Sequence, residues 1–78
     1  MSHCEDFGAR LRAARLKAGY KRTSDFTPLI GIPNARYRAW ERGEAYPHIL
    51  ALIELSHKLE VTLHEFFPDS YEGKKKKR

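Results

Sequence analysis

The sequence predicts an all-α fold of five short helices in one compact domain. Three observations predict it. Apolar residues recur at spacings of three and four, which puts them on one face of a helix. Glycine and proline punctuate these stretches at distances that suit short helices. No stretch alternates apolar and polar residues over a useful strand length. The 78 residues allow one small domain, and 41% hydrophobic content allows a core, though a thin one. A domain of this size buries only ~60% of its unfolded surface, so dimerisation can add stability.

Residues 1–5 show no pattern and are expected to fray. Asp6 can cap a first helix running to Ala18, with Phe7, Leu11, Ala14 and Ala18 as its inward stripe. Gly19 is its stop, and Leu16 falls outside the stripe, at an edge or interface. Thr23 or Ser24 can cap a second helix reaching Ile30, with Phe26, Leu29 and Ile30 inward. Pro28 lies inside it and removes a backbone bond, so this helix is expected to be short, kinked or partly 3₁₀.

The third helix lies between Gly31 and Gly43, with Pro33 suited to its first turn. Tyr37 and Trp40 share its inward face. Asn34, Arg36 and Arg38 fall elsewhere on the cylinder, and Arg42 sits one turn after Arg38. Arg and Asn carry the forked donors and acceptors that match guanine and adenine edges in the DNA major groove. A surface helix with solvated arginines fits the same pattern.

A loop from Glu44 to His48 leads to a fourth helix, about Ile49 to Leu59. Ile49, Leu52, Ile53, Leu55, Ser56 and Leu59 give it a wide apolar face. Glu60 stands where a terminating glycine would be comfortable, which implies strain of ~1–2 kcal/mol if that turn is left-handed. Thr62 and Glu65 have capping-box spacing for a last helix, Leu63 to Phe67, with Leu63, Phe66 and Phe67 facing the core or an interface. Pro68 stops it. The domain is therefore placed at residues 6–68, followed by a flexible basic tail at 69–78.

The net charge of +5 is unevenly spread. Residues 10–42 hold nine basic residues against Asp25 and Glu41, whereas 43–73 hold Lys58 against six acids. Lys74 to Arg78 add five positive charges. A basic half and an acidic half point to nucleic-acid contact through the first. Intermixed Arg and Glu that merely solvate the surface are the plainer alternative. The lone cysteine, Cys4, cannot form an internal disulfide, which agrees with a reducing compartment. No run approaches the ~18 apolar residues of a membrane span, and the acidic start is unlike a signal peptide. The expected location is cytoplasmic, with the nucleoid. The four histidines and Cys4 make no recognised metal spacing. No carboxylate pair, phosphate loop or triad has supporting context, so neither an enzyme nor a cofactor or small-molecule ligand is expected.

The second and third helices, joined through Gly31, make a helix-turn-helix arrangement. Taken together in order and spacing, Leu11-Arg12-x-x-Arg15-x-x-x-Gly19, Gly31-Ile32, Trp40-Glu41-Arg42-Gly43, Pro47 and Leu63-x-Glu65-Phe66-Phe67 strongly resemble the Cro/lambda-repressor-like (XRE) helix-turn-helix family. The resemblance covers roughly Asp6 to Phe67. It implies a five-helix DNA-binding domain whose third helix enters the major groove. It places Asn34, Ala35, Arg38 and Ala39 at base-reading positions. Arg22, Thr23, Ser24, Arg36 and Arg42 fall at phosphate positions, with Arg10 and Lys21 as weaker candidates. Arg15 and Glu41 match a partly buried ion pair; two independent surface charges are the alternative.

The sequence departs from the family at Pro28, at Thr27 in place of a small alanine, and at Pro33 and His48, where hydrogen-bonding caps are common. The Gly19–Gly31 segment is one residue longer than the common form, and Glu60 replaces a frequent glycine. The implied function is a transcription regulator, most simply a repressor, that binds a palindromic double-stranded DNA operator as a homodimer. Leu50, Leu52, Phe67 and Tyr71 are the dimer-face candidates. The alternative is an antitoxin or adaptor that uses the acidic half on a protein partner.

Overall fold

The computed structural model describes residues 3–67; Tyr71 and the Lys74–Arg78 tail lie outside them. Five helices follow in order: α1 (His3–Lys17), α2 (Thr23–Ile30), α3 (Asn34–Glu41), α4 (Ile49–Leu59) and α5 (Leu63–Phe66). α3 packs on α1 and α2, α5 packs on α1 and α4, and α2 also meets α4. The core where they meet is made of Phe7, Leu11, Phe26, Tyr37, Trp40, Ala51, Leu55, Leu59 and Phe66. It is rich in rings. Phe7 meets Phe66 edge-on at 5.4 Å and stacks on Phe67 at 5.2 Å. Phe26 meets Tyr37 edge-on at 5.6 Å, and Tyr37 meets Trp40 at 5.9 Å. Such tilted pairs suit the ring quadrupoles and contribute beyond area burial. They fasten both helix-turn-helix elements to the centre.

The ends of the helices follow local chemistry. Gly31 closes α2 at φ 67°, a left-handed conformation that a Cβ would oppose, and its N–H bonds Thr27. The chain then turns through Ile32 and Pro33 into α3. Glu60 takes the left-handed position after α4 at φ 58°, with Val61 N–H on the Ser56 carbonyl at 3.0 Å. Thr62 Oγ1 caps α5 by accepting from the Glu65 N–H at 3.3 Å. His48, at a departure from the family pattern, nevertheless caps α4: its Nδ1 accepts from the Ala51 N–H at 3.3 Å.

Several expectations need correction. α1 begins at His3, earlier than an Asp6 cap allows, so His3–Glu5 are helical. Glu5 and Asp6 fall in its first turn, where acids suit the helix dipole. Arg22, not Thr23 or Ser24, is the N-cap of α2, and the Asp25 carboxylate accepts from the Arg22 N–H at 3.3 Å. Around Pro28, α2 is short, as expected, and it is α-helical throughout its eight residues. Ser24, whose carbonyl loses its partner to that proline, is exposed, so water can serve it.

Leu29 is 48% exposed and Thr27 is buried in its place. Helix geometry explains the exchange, because Phe26, Ile30 and Thr27 span an arc of about 100° and Leu29 lies about 60° outside it. Pro33 precedes α3 as its cap rather than forming its first residue. On α4, Ile49 and Ile53 are exposed rather than inward, while Ala51 and Leu55 are buried. Leu63 is also on the surface.

Candidate nucleic-acid interface

α3 is held from behind by a polar anchor. Arg15 on α1 is 4% exposed. Its Nε donates to Glu41 Oε2 at 2.7 Å and its Nη2 to Oε1 at 3.2 Å. Its Nη1 donates to the carbonyls of Tyr20 and Lys21, each at 2.8 Å. One guanidinium therefore ties the first helix, the turn into α2 and the end of α3. The Tyr37 hydroxyl also donates to Glu41 Oε2, at 2.5 Å. The hydrogen bond to Glu41 holds Arg15 above its ordinary pKa. Such a site orients a helix; it offers no charge to solvent.

Burial, and then the bond to Glu41, push the Tyr37 phenol far above its ordinary value of 10.0. The phenol is thus protonated in the folded chain at pH values where the unfolded chain begins to ionise. The stability it contributes is complete below pH 10 and falls as the pH rises towards the folded-state value. Urea denaturation at pH 8 to 11.5 should show stability falling by up to ~1.4 kcal/mol per pH unit above pH ~10, and Tyr37→Phe should remove that part of the slope. An unchanged slope in Tyr37→Phe would contradict the buried phenol.

The front of α3 is the opposite of its back. Asn34, Arg38, Ala35 and Ala39 lie within an arc of about 140°, and Tyr37 and Trp40 point the other way. Ala35 and Arg38 are exposed, and Asn34 and Ala39 are half-buried. Arg36 is exposed on the flank, outside that arc. Among the described residues, neither Arg36 nor Arg38 has an ion-pair partner. Asn34 is oriented from α2, because Thr27 Oγ1 donates to its Oδ1 at 3.4 Å. Thr27, the departure from a small alanine, thus joins the two helices through a polar contact.

The other phosphate candidates differ in availability. Ser24 is exposed and Thr23 half-buried at the start of α2. Arg22 lies 3.7 Å from Asp25, a loose and exposed pair. Arg42 makes a bidentate contact with Glu44, at 2.9 and 3.1 Å, which raises the arginine's pKa and lowers that of the carboxylate. Of the dimer candidates, Leu50 is 70% exposed, whereas Leu52 and Phe67 pack against the core. Lys21 is exposed and Arg10 half-buried.

Sequence reasoning missed four features: the Glu44 partner of Arg42, the Thr27–Asn34 bond, the Tyr37 hydroxyl on Glu41, and Gly8. A glycine within α1, beside its inward stripe, was itself a signal, because it weakens a helix unless close packing needs it. No group of three or more His, Cys, Asp or Glu side chains in metal-binding geometry occurs among the described residues. No helix among them is long and apolar enough to cross a membrane.

A short helix fastened to a core by one face, with a cationic and amide-bearing face outward after a glycine turn, defines a DNA-binding helix-turn-helix domain. The profile of the helix-turn-helix family matches residues 11–66, and the chain belongs to that family, in its Cro/lambda-repressor-like (XRE) branch. The family is one of DNA-binding regulatory domains, not typically enzymes. No curated protein and no solved structure matches the chain.

Proposed function

We propose that the protein is a sequence-specific regulator of transcription, a repressor that occupies a near-palindromic operator as a homodimer. The observation that carries this reading is the outward face of α3, where Arg38 stands exposed without an ion-pair partner among the described residues and Asn34 is oriented by Thr27. Arg38 is assigned to a guanine edge and Asn34 to an adenine edge, each with ~1–3 kcal/mol of discrimination. Ala35 and Ala39 offer methyl contacts, for instance to thymine. Arg36 is assigned to the phosphate backbone, together with the start of α2 at Arg22, Thr23 and Ser24.

Anisotropy titrations against DNA from upstream of the gene and against a scrambled duplex, over a salt series, test this. A preference of ~10³-fold or more at physiological salt is expected. Arg38→Ala should relax discrimination at one base position, whereas Arg36→Ala should weaken all duplexes alike and lower the salt slope by about one. Unchanged affinity in both variants would show that the docking assigned to α3 is wrong. Absence of binding to either duplex would favour the reading as an antitoxin or adaptor for a protein partner.

Dimerisation is assigned to the start of α4. Ile49, Leu50 and Ile53 are all exposed and lie within an arc of about 100°. Leu50 alone remains from the dimer candidates as a described, fully surface residue. A dimer should space its two α3 helices about one DNA turn, ~34 Å, apart. Leu50→Glu should leave the helical circular dichroism unchanged and shift the sedimentation coefficient to that of a monomer. A dimer of unchanged affinity would place the interface elsewhere.

A further inference from the structure

Arg42 directly follows the recognition helix, at a position assigned to the DNA backbone. Its fork is already taken. Nε donates to one oxygen of Glu44 at 2.9 Å and Nη2 to the other at 3.1 Å. Two parallel N–H···O bonds are also the way a guanidinium grips a phosphate. The carboxylate therefore uses the donors that a phosphate would use.

Its place is set by the backbone. Gly43 N–H bonds the Trp40 carbonyl at 3.2 Å, and Glu44 N–H bonds the Ala39 carbonyl at 3.0 Å. The turn that ends α3 thus fastens the Glu44 main chain to the helix and presents its side chain to Arg42. Both side chains are more than half exposed, at 52% and 58%, so a phosphate can reach the fork and displace the carboxylate. The carboxylate is ionised at neutral pH, because the Arg42 hydrogen bonds hold its pKa below the ordinary value. Arg36 and Arg38, on α3 itself, have no such partner among the described residues.

We propose that Glu44 is an internal competitor of the DNA phosphate for Arg42, and that it sets how strongly the domain holds DNA irrespective of sequence. The inference rests on the reading of α3 as the recognition helix. Affinity for arbitrary sequence comes almost wholly from phosphate contacts, whereas base discrimination does not. Withholding one arginine from the backbone therefore lowers non-specific binding and leaves the base-reading face untouched. Glu44 has no assigned base or phosphate contact of its own.

The test is a double-mutant cycle on the full chain. The wild type, Glu44→Gln, Arg42→Ala and the double variant are titrated against one scrambled duplex over a salt series. Glu44→Gln should bind roughly threefold tighter near 0.1 M salt, in line with the modest strength of an exposed ion pair. Its plot of log affinity against log salt should steepen, by up to about 0.9, the value for one phosphate contact formed where the carboxylate no longer competes. In the Arg42→Ala background the same change should leave the slope as it was. Equal gains in both backgrounds would overturn the proposal, since Glu44 would then act only as a diffuse negative charge. Binding by all four proteins with no effect of Glu44→Gln would overturn it alone, and leave the DNA-binding reading standing. Failure of all four to bind any duplex would remove that reading, and the role of Glu44 with it.

Discussion

Arg15→Ala should cost about 3–5 kcal/mol of unfolding free energy, the usual cost of removing one partner from a buried ion pair. The reason lies in what the change leaves behind. The Glu41 side chain is only 8% exposed and would keep a single partner, the Tyr37 hydroxyl. The carbonyls of Tyr20 and Lys21 would also lose the donor that joins the turn to α1. Small domains have total stabilities near ~5 kcal/mol at the low end, so the loss approaches the whole. A thermal melt should fall by at least ~12 °C, at about 4–8 °C per kcal/mol for a chain of this length, or lose its cooperative transition.

A second variant separates a charge effect from a packing effect. Replacing both partners, Arg15→Met with Glu41→Leu, should recover part of the loss, because no unpaired charge stays buried, while the Tyr37 hydroxyl and the Tyr20 and Lys21 carbonyls still lose their partners. The double variant is expected to fold but to bind DNA less well, since the hydrogen bonds that fix the angle of α3 are gone. A single Arg15→Ala that melts within a degree or two of the wild type would show that the pair is not buried in solution.

Helix order and most helix ends, though not the start of α1 or the cap of α2, were legible because they depend on neighbours in the chain. Gly31, Glu60, Thr62 and the span of α4 all follow from capping and turn chemistry within a few residues. The Arg15–Glu41 contact joins residues 26 positions apart, and it was legible only through resemblance to a family. Apolar spacing shows which residues share a face, but not how much of that face a neighbouring helix covers. The start of α4 is the clear case: Ile49 and Ile53 fit the apolar stripe, yet both are exposed. The reverse holds on α2, where Thr27 is polar by type but buried by position, at the contact with Asn34. That Arg36 and Arg38 lie off the apolar face could be read from the helix alone, whereas their DNA roles rest on the family resemblance. The pairing of Arg42 with Glu44 could not be read in this way, because it requires the geometry of the turn after α3.

Gly8→Ala tests the close approach of α1 to α3. Gly8 is buried on α1, and a Cβ built there would lie 2.4 Å from the Glu41 carbonyl oxygen and 2.8 Å from that of Trp40. Both are backbone atoms of α3, so no side chain can rotate away. The two helices must separate instead. On helix propensity alone, alanine would stabilise α1 by ~0.5–1 kcal/mol. The overpacking acts the other way, by ~1–3 kcal/mol, and should dominate because the methyl meets backbone rather than a movable side chain. Arg15 fastens α3 to α1 at the same residue, Glu41, whose carbonyl the new methyl would strike. The separation therefore pulls directly on the anchor. The expected outcome is a net loss of ~1–2 kcal/mol in urea denaturation. The loss of DNA affinity should be larger than the fraction unfolded explains, measured where the variant is still folded by circular dichroism. A rise in stability, as propensity alone requires, would show that α1 and α3 do not touch at Gly8, and that the angle of α3 is set by the Arg15 anchor alone.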